Sequence, residues 1–169
     1  MNRYQLAKLV QWAGCLRARK RLQKVVYMLQ SAGCPLDAEF TLHYYGPYSQ
    51  DVAGLSDEMV RIKLLDETEE ENMVGQGYSY KLPENTERQI AEFENSAEGR
   101  TWTEQLSGYE KLAKKLLKED LRRLEYASTI VYFRSQGVDW PTAVEKARQF
   151  KKTDAVRNAE PLAREVLPH

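Results

Sequence analysis

Residues 22–29, LQKVVYML, place the strongest constraint on how this chain folds. Leu22, Val25, Val26 and Leu29 recur at helical spacing, and Tyr27 and Met28 widen the apolar stripe past one face. A helix that is apolar on more than one side needs cover on more than one side. The pattern therefore predicts a central helix with other elements packed around it. Gly33 suits the residue just past its end, and Pro35 blocks continuation. Upstream, Leu6, Leu9, Val10 and Ala13 predict a first helix that Gly14 ends.

After the central helix the period changes. In FTLHYY, Phe40, Leu42 and Tyr44 alternate with Thr41, His43 and Tyr45, which predicts a short strand with Tyr44 on the core side. Gly46 and Pro47 then turn the chain. Ser49 is a good N-cap for a third helix, with Asp51 in its first turn and Val52, Leu55, Met59 and Ile62 on its apolar face. Residues 63–82 read as two strands joined by a long acidic loop, with Tyr78, Tyr80 and Leu82 on one face of the second.

Residues 4–82 thus run helix, helix, strand, helix, strand, strand, the order of a winged helix. The remainder is helical. Thr101 and Glu104 have capping-box spacing, and Trp102, Leu106, Tyr109, Ala113 and Leu116 continue the run. A helix from Asp120 stops by Gly137, and Asp139 caps another with Pro141 in its first turn; Pro161 limits the last. The expected fold class is mainly α with a small hairpin or three-strand sheet. A winged-helix-like part (1–82) carries a helical extension (83–169) packed on it as one compact domain.

The 25 basic and 25 acidic residues cancel, whereas a dedicated nucleic-acid binder is usually basic overall or in one patch. Two cysteines, Cys15 and Cys34, are too few for a disulfide framework and read as buried thiols of a reducing compartment. No run approaches the roughly 20 apolar residues of a membrane span, and no signal peptide is visible, so the expected location is cytoplasmic.

The helix KRLQKVVYMLQSAG, the β-rich segment after it and the turn YYGPYSQDV resemble the Panacea/SocA-like antitoxin family and the related YwgA-like proteins. LEYASTIVYF, from residue 124, is similar to a later helix of that family, so the resemblance covers roughly residues 18–150. It implies a small bacterial protein that binds another protein, either neutralising a toxin or handing it to a ClpXP-type protease as an adaptor.

Read from the residues, the tyrosine-rich turn has two uses. It makes a rigid corner, with Gly46, Pro47 and Ser49 as its structural residues and aromatic rings packed around it. It also offers an aromatic patch of His43, Tyr45 and Tyr48 to a protein partner, since tyrosine is enriched among interface hot spots. A second candidate surface is the basic stretch of Arg17, Arg19, Lys20, Arg21 and Lys24. Cations at a helix start oppose its dipole, so either an acidic partner or a nucleic-acid backbone offsets them, or their side chains bend into water. The acidic residues 66–71 form a third surface or a solvated loop.

Duplex DNA is an unfavourable ligand for the third helix. Gln50, Asp51, Asp57 and Glu58 dominate its outer face, Arg61 is its main base, and the acidic hairpin would also repel phosphates. The competing assignment is a transcription regulator that uses residues 17–24. Catalysis finds no motif: there is no phosphate loop, nucleotide fingerprint or nucleophile elbow. His43 lacks ligand-spaced neighbours, which predicts no metal and no cofactor, and His169 is terminal. Glu125, inside an apolar stretch, is the carboxylate to inspect for burial, with Arg122 or Arg123 as the expected partner.

Overall fold

The computed structural model describes residues 1–72 and 75–167; His169 lies outside them. In chain order the elements are α1 (Arg3–Ala13), β1 (Leu16–Arg17), α2 (Arg19–Ser31), β2 (Thr41–His43), β3 (Gly46–Tyr48) and α3 (Gln50–Arg61). A hairpin of β4 (Asp66–Asn72) and β5 (Gly75–Lys81) follows. Then come α4 (Glu84–Asn95), α5 (Ala97–Ser107), α6 (Glu110–Leu117), α7 (Leu121–Arg134), α8 (Trp140–Lys151), a 3₁₀ turn (Asp154–Ala159) and α9 (Glu160–Val166).

Helix α2 is central, as its wide apolar stripe requires. Val25, Val26 and Met28 have no exposed surface, and α7 lies along it with Leu124, Ala127, Ile130 and Val131 equally buried. Helices α6 and α9 also pack against α2, and Ala113 and Leu116 of α6 and Leu162 and Ala163 of α9 are buried. Alanines at these positions let the helices approach closely, and each fully buried leucine or valine contributes about 1.5–3 kcal/mol. The helical extension therefore shares one hydrophobic core with the first half of the chain.

Local signals set several ends. Asn2 and Gln5 form a capping box at α1, and Gly14 follows α1 with φ 70°. The Ser49 Oγ accepts the Val52 N–H at α3, and an Asp139 carboxylate oxygen accepts the Thr142 N–H at α8, where Pro141 sits in the first turn.

The structure corrects three expectations. The acidic residues 66–71 form strand β4 itself rather than a loop. That strand pairs antiparallel with β5, which pairs in turn with β1, giving the order β1-β5-β4. Glu70 and Glu67 on it face Arg17 of β1 and Arg19 of α2, while Asp66, Glu69 and Glu71 are exposed to water. Thr101 does not cap a helix: α5 starts earlier, where the Ser96 Oγ accepts the Gly99 N–H, and Thr101 donates to the Ala97 carbonyl one turn back. The run from Trp102 to Leu116 also breaks, at Gly108 and Tyr109, into α5 and α6. Helix α4, which begins after Pro83, adds an element that periodicity did not predict.

Candidate functional site

Strands β2 and β3 form a separate hairpin in which Thr41 faces Tyr48, Leu42 faces Pro47 and His43 faces Gly46. Two residues, Tyr44 and Tyr45, are left as its tip. The reversal therefore falls just before Gly-Pro instead of on it. Gly46, at φ 94°, admits the sharp exit from the tip, and a Cβ there would stand 2.8 Å from the Thr129 Oγ1 of α7.

Tyr44 was expected in the core and is instead 79% exposed; Tyr45 is 49% exposed. Alternation fails because β2 ends at His43, so Tyr44 belongs to the tip and nothing covers it. Phe40 does pack inward, its ring edge-on to Tyr27 at 5.0 Å. The Tyr44 and Tyr45 rings meet edge to face at 4.9 Å, and exposed His43 stacks on Tyr48 at 4.8 Å. The expected patch of His43, Tyr45 and Tyr48 thus lies on this hairpin, with Tyr44 added.

Beneath the bare tip the hairpin is firmly held. Lys24, 2% exposed, donates to the Pro47 carbonyl at 2.7 Å. The buried Gln23 amide donates to the Ser49 carbonyl at 2.9 Å and accepts the Ser49 N–H at 2.8 Å. Gly46, Pro47 and Ser49 are all buried. From the other end of the chain, Lys151 donates to the Tyr44 carbonyl at 3.0 Å and pairs with Glu125. Glu125 is thus largely buried, and its partner is Lys151 rather than Arg122 or Arg123; Arg123 pairs with Glu119 one turn back. Burial pushes the Lys24 ammonium down to about 8; Glu125 opposes this, and Lys151 and Lys20 add to it.

The basic stretch does not form one surface. Arg17 faces Glu70 at 3.8 Å across exposed side chains. Arg19 donates to Glu67 at 3.2 Å and to the Tyr80 hydroxyl at 3.0 Å, and covers the Tyr78 ring at 3.7 Å. Burial, and then the Glu67 hydrogen bond, push the Tyr80 phenol well above its usual range. Arg21 donates to the Leu117 and Glu119 carbonyls at the C-terminal end of α6, where the helix dipole favours a cation. Lys20 remains on the hairpin side, its Nζ 3.3 Å from the centre of the Tyr45 ring. The basic stretch and the acidic strand, read separately as candidate partner surfaces, meet each other at two points, Arg17 with Glu70 and Arg19 with Glu67.

Two clefts flank Tyr45. One, of about 330 Å³, opens between α2 and α3 beside Lys20, Leu22, Lys24, Ala53 and Asp57. The other, of about 290 Å³, lies against α7 and α8 beside Lys20, Arg122, Glu125, Lys151 and Lys152. Lys151 and Lys152 carried no local signal: Lys151 reaches the Tyr44 carbonyl across 107 positions of sequence, and Lys152 lines the same cleft. Gln23 was hidden as well, since nothing about an isolated glutamine announces that it will pair with a backbone.

Among the described residues, no group of three or more His, Cys, Asp or Glu side chains could hold a metal ion. Cys15 is half-buried; Cys34 is buried, which pushes its thiol up to about 11, away from nucleophilic use at neutral pH. No described helix is long and apolar enough to cross a membrane.

No family model matches the chain. It is 30% identical over 80 residues to Uncharacterized protein YwgA of Bacillus subtilis (strain 168), a match covering 47% of this chain and 48% of that protein. The chain thus spans about half the length of the relative it matches, and the similarity supports the YwgA-like part of the resemblance read from the tyrosine-turn motif.

Proposed function

We propose that this chain is a non-catalytic, cytoplasmic protein-interaction module of the antitoxin-like or proteolytic-adaptor kind, and that it engages its partner through the tip of the β2–β3 hairpin. One observation carries the reading: two adjacent tyrosines stand exposed on a hairpin whose backbone is tied down by Gln23 and Lys24 at its base and by Lys151 at Tyr44. Tyrosine offers a large amphipathic contact at low entropic cost, and a rigid base removes the further cost of ordering a loop on binding. Residues 1–82 act in this reading as a winged-helix-like platform, and the extension 83–169 braces it through Glu125 and Lys151. Membership of the Panacea/SocA-like group is part of the same proposal.

The competing assignment, a regulator that holds nucleic acid on residues 17–24, is disfavoured by the contacts of Arg17, Arg19 and Arg21 within the chain. Duplex DNA on α3 is disfavoured by its exposed Gln50, Asp51 and Asp57.

The test is a pull-down from native lysate, read by mass spectrometry, with wild-type protein and a Tyr44→Ala/Tyr45→Ala variant of matched melting temperature. The expected result is a protein retained by the wild type and lost from the variant. Equal recovery from both, or recovery of nucleic acid alone, counts against the reading.

A further inference from the structure

Resting on that reading, we infer that the two clefts beside Tyr45 form one cationic groove that receives an acidic linear segment of the partner protein. The clefts share Lys20 and Tyr45 as a common wall. The cleft against α7 and α8 is lined by four cations, Lys20, Arg122, Lys151 and Lys152, and one carboxylate, Glu125. Lys151 already engages that carboxylate. Among the described residues, no ion pair engages Lys20, Arg122 or Lys152, and the last two are exposed. The chain as a whole has zero net charge, so this excess is local. Such a field steers an oppositely charged partner and rejects like-charged ones.

The walls also carry apolar surface. Leu22 and Ala53 line the cleft beside α3, and Tyr126 and Phe150 line the cleft against α7 and α8. A segment that fits both features has carboxylates for Lys20, Arg122 and Lys152 and a large apolar or aromatic side chain between them. A nucleic-acid strand fits less well. It brings a charge at every nucleotide, and Asp57 stands in one cleft while Glu125 stands in the other.

Selection of random displayed peptides on the full-length protein tests the groove, followed by anisotropy titration of the enriched sequences. The enriched peptides are expected to be net negative with at least one large apolar residue. Their affinity should fall about tenfold in a Lys20→Glu/Lys152→Glu variant, in line with two rim charges. Arg122→Glu, on an exposed position of α7, gives a second reading should the double variant fail to fold. Neutral or basic enriched peptides, no enrichment, or affinity unchanged by these variants would overturn the groove. Neutral peptides that still need Tyr44 and Tyr45 would do so while leaving the hairpin reading intact. An oligothymidylate probe that binds more tightly than any peptide, and is lost with the same charges, would reassign the groove to nucleic acid.

Discussion

The two hairpins of this molecule, 41–48 and 66–81, carry the two most conspicuous local compositions in the chain, one tyrosine-rich and one acidic. Each was a candidate interaction surface, and the structure treats them in opposite ways. The acidic hairpin uses Glu67 and Glu70 on Arg19 and Arg17, so two of the five carboxylates in 66–71 are answered within the chain. The tyrosine hairpin is bound through its backbone, by Lys24, Gln23 and Lys151, while Tyr44 at its tip is largely exposed and Tyr45 is half-exposed with Lys20 over one side of its ring. A run of like charge is a poor guide to a free surface, because a complementary run elsewhere can fold against it. The contact of Lys20 with one side of the Tyr45 ring leaves most of the Tyr44 ring and half of Tyr45 open to solvent.

The contrast can be broken most forcefully at the base of the tyrosine hairpin. Gln23→Leu removes both bonds to Ser49; the Ser49 carbonyl keeps the Ala53 N–H at 3.2 Å, but the buried Ser49 N–H loses its acceptor. Chemical denaturation should show a loss of about 1–3 kcal/mol for that orphaned donor. A variant as stable as the wild type would mean the anchor is not what holds the hairpin.

Next in size is the acidic hairpin. Arg19→Ala gives up two charge-assisted hydrogen bonds and the stacking on Tyr78, and should cost about 1–3 kcal/mol. Arg17→Ala, whose pair is long and exposed, should stay within about 0.5 kcal/mol. Equal losses for the two would show that the hairpin is held by diffuse charge rather than by the Arg19 contacts.

Lys24 sharpens the comparison through pH. Its folded pKa near 8 lies below the ordinary lysine value of 10.5, so between these the unfolded chain binds more protons. The stability of the wild type relative to Lys24→Met should therefore be flat below pH 8 and rise from pH 8 to 10.5. Taking the difference between the two proteins cancels the tyrosines and cysteines that titrate in the same range. A difference that falls over this window would contradict a desolvated ammonium under Pro47.

The smallest effect belongs to the tip. Tyr44→Ala should change the melting free energy by no more than about 0.5 kcal/mol, the usual range for a surface substitution. Tyr45→Ala should add the loss of its contact with Lys20, about 0.5–1 kcal/mol.

What was legible in the sequence follows from how local the physics is. Helices α1, α2 and α3 were readable because their apolar spacing and their ends, at Gly14, Gly33 and Ser49, lie within a few residues of each other, and the start of α8 was readable from Asp139 and Pro141 alone. The central place of α2 was readable from the width of its stripe. Tyr44 was misplaced because alternation assumes a strand that continues, and three residues of β2 are too few to test that. The cap of α5 was missed because Ser96 lies five residues before the more visible Thr101 spacing. At the candidate site, the tyrosines and the Gly-Pro were visible, and Glu125 drew attention as a carboxylate among apolar neighbours. Its partner Lys151 and the pairing of the basic stretch with the acidic strand were not legible, because they depend on elements far apart in the chain that only folding brings together.

The most direct measurement of the central claim sets the two hairpins against each other on one bound partner. With the protein recovered in the pull-down, calorimetric titration would compare Tyr45→Ala with a Glu69→Lys/Glu71→Lys variant, which alters two exposed carboxylates of the acidic strand. The account predicts that the tyrosine variant loses about tenfold or more in affinity, as a hot-spot truncation does, while the acidic-strand variant binds as the wild type. Unchanged affinity for Tyr45→Ala, together with a loss for the acidic-strand variant, would contradict it.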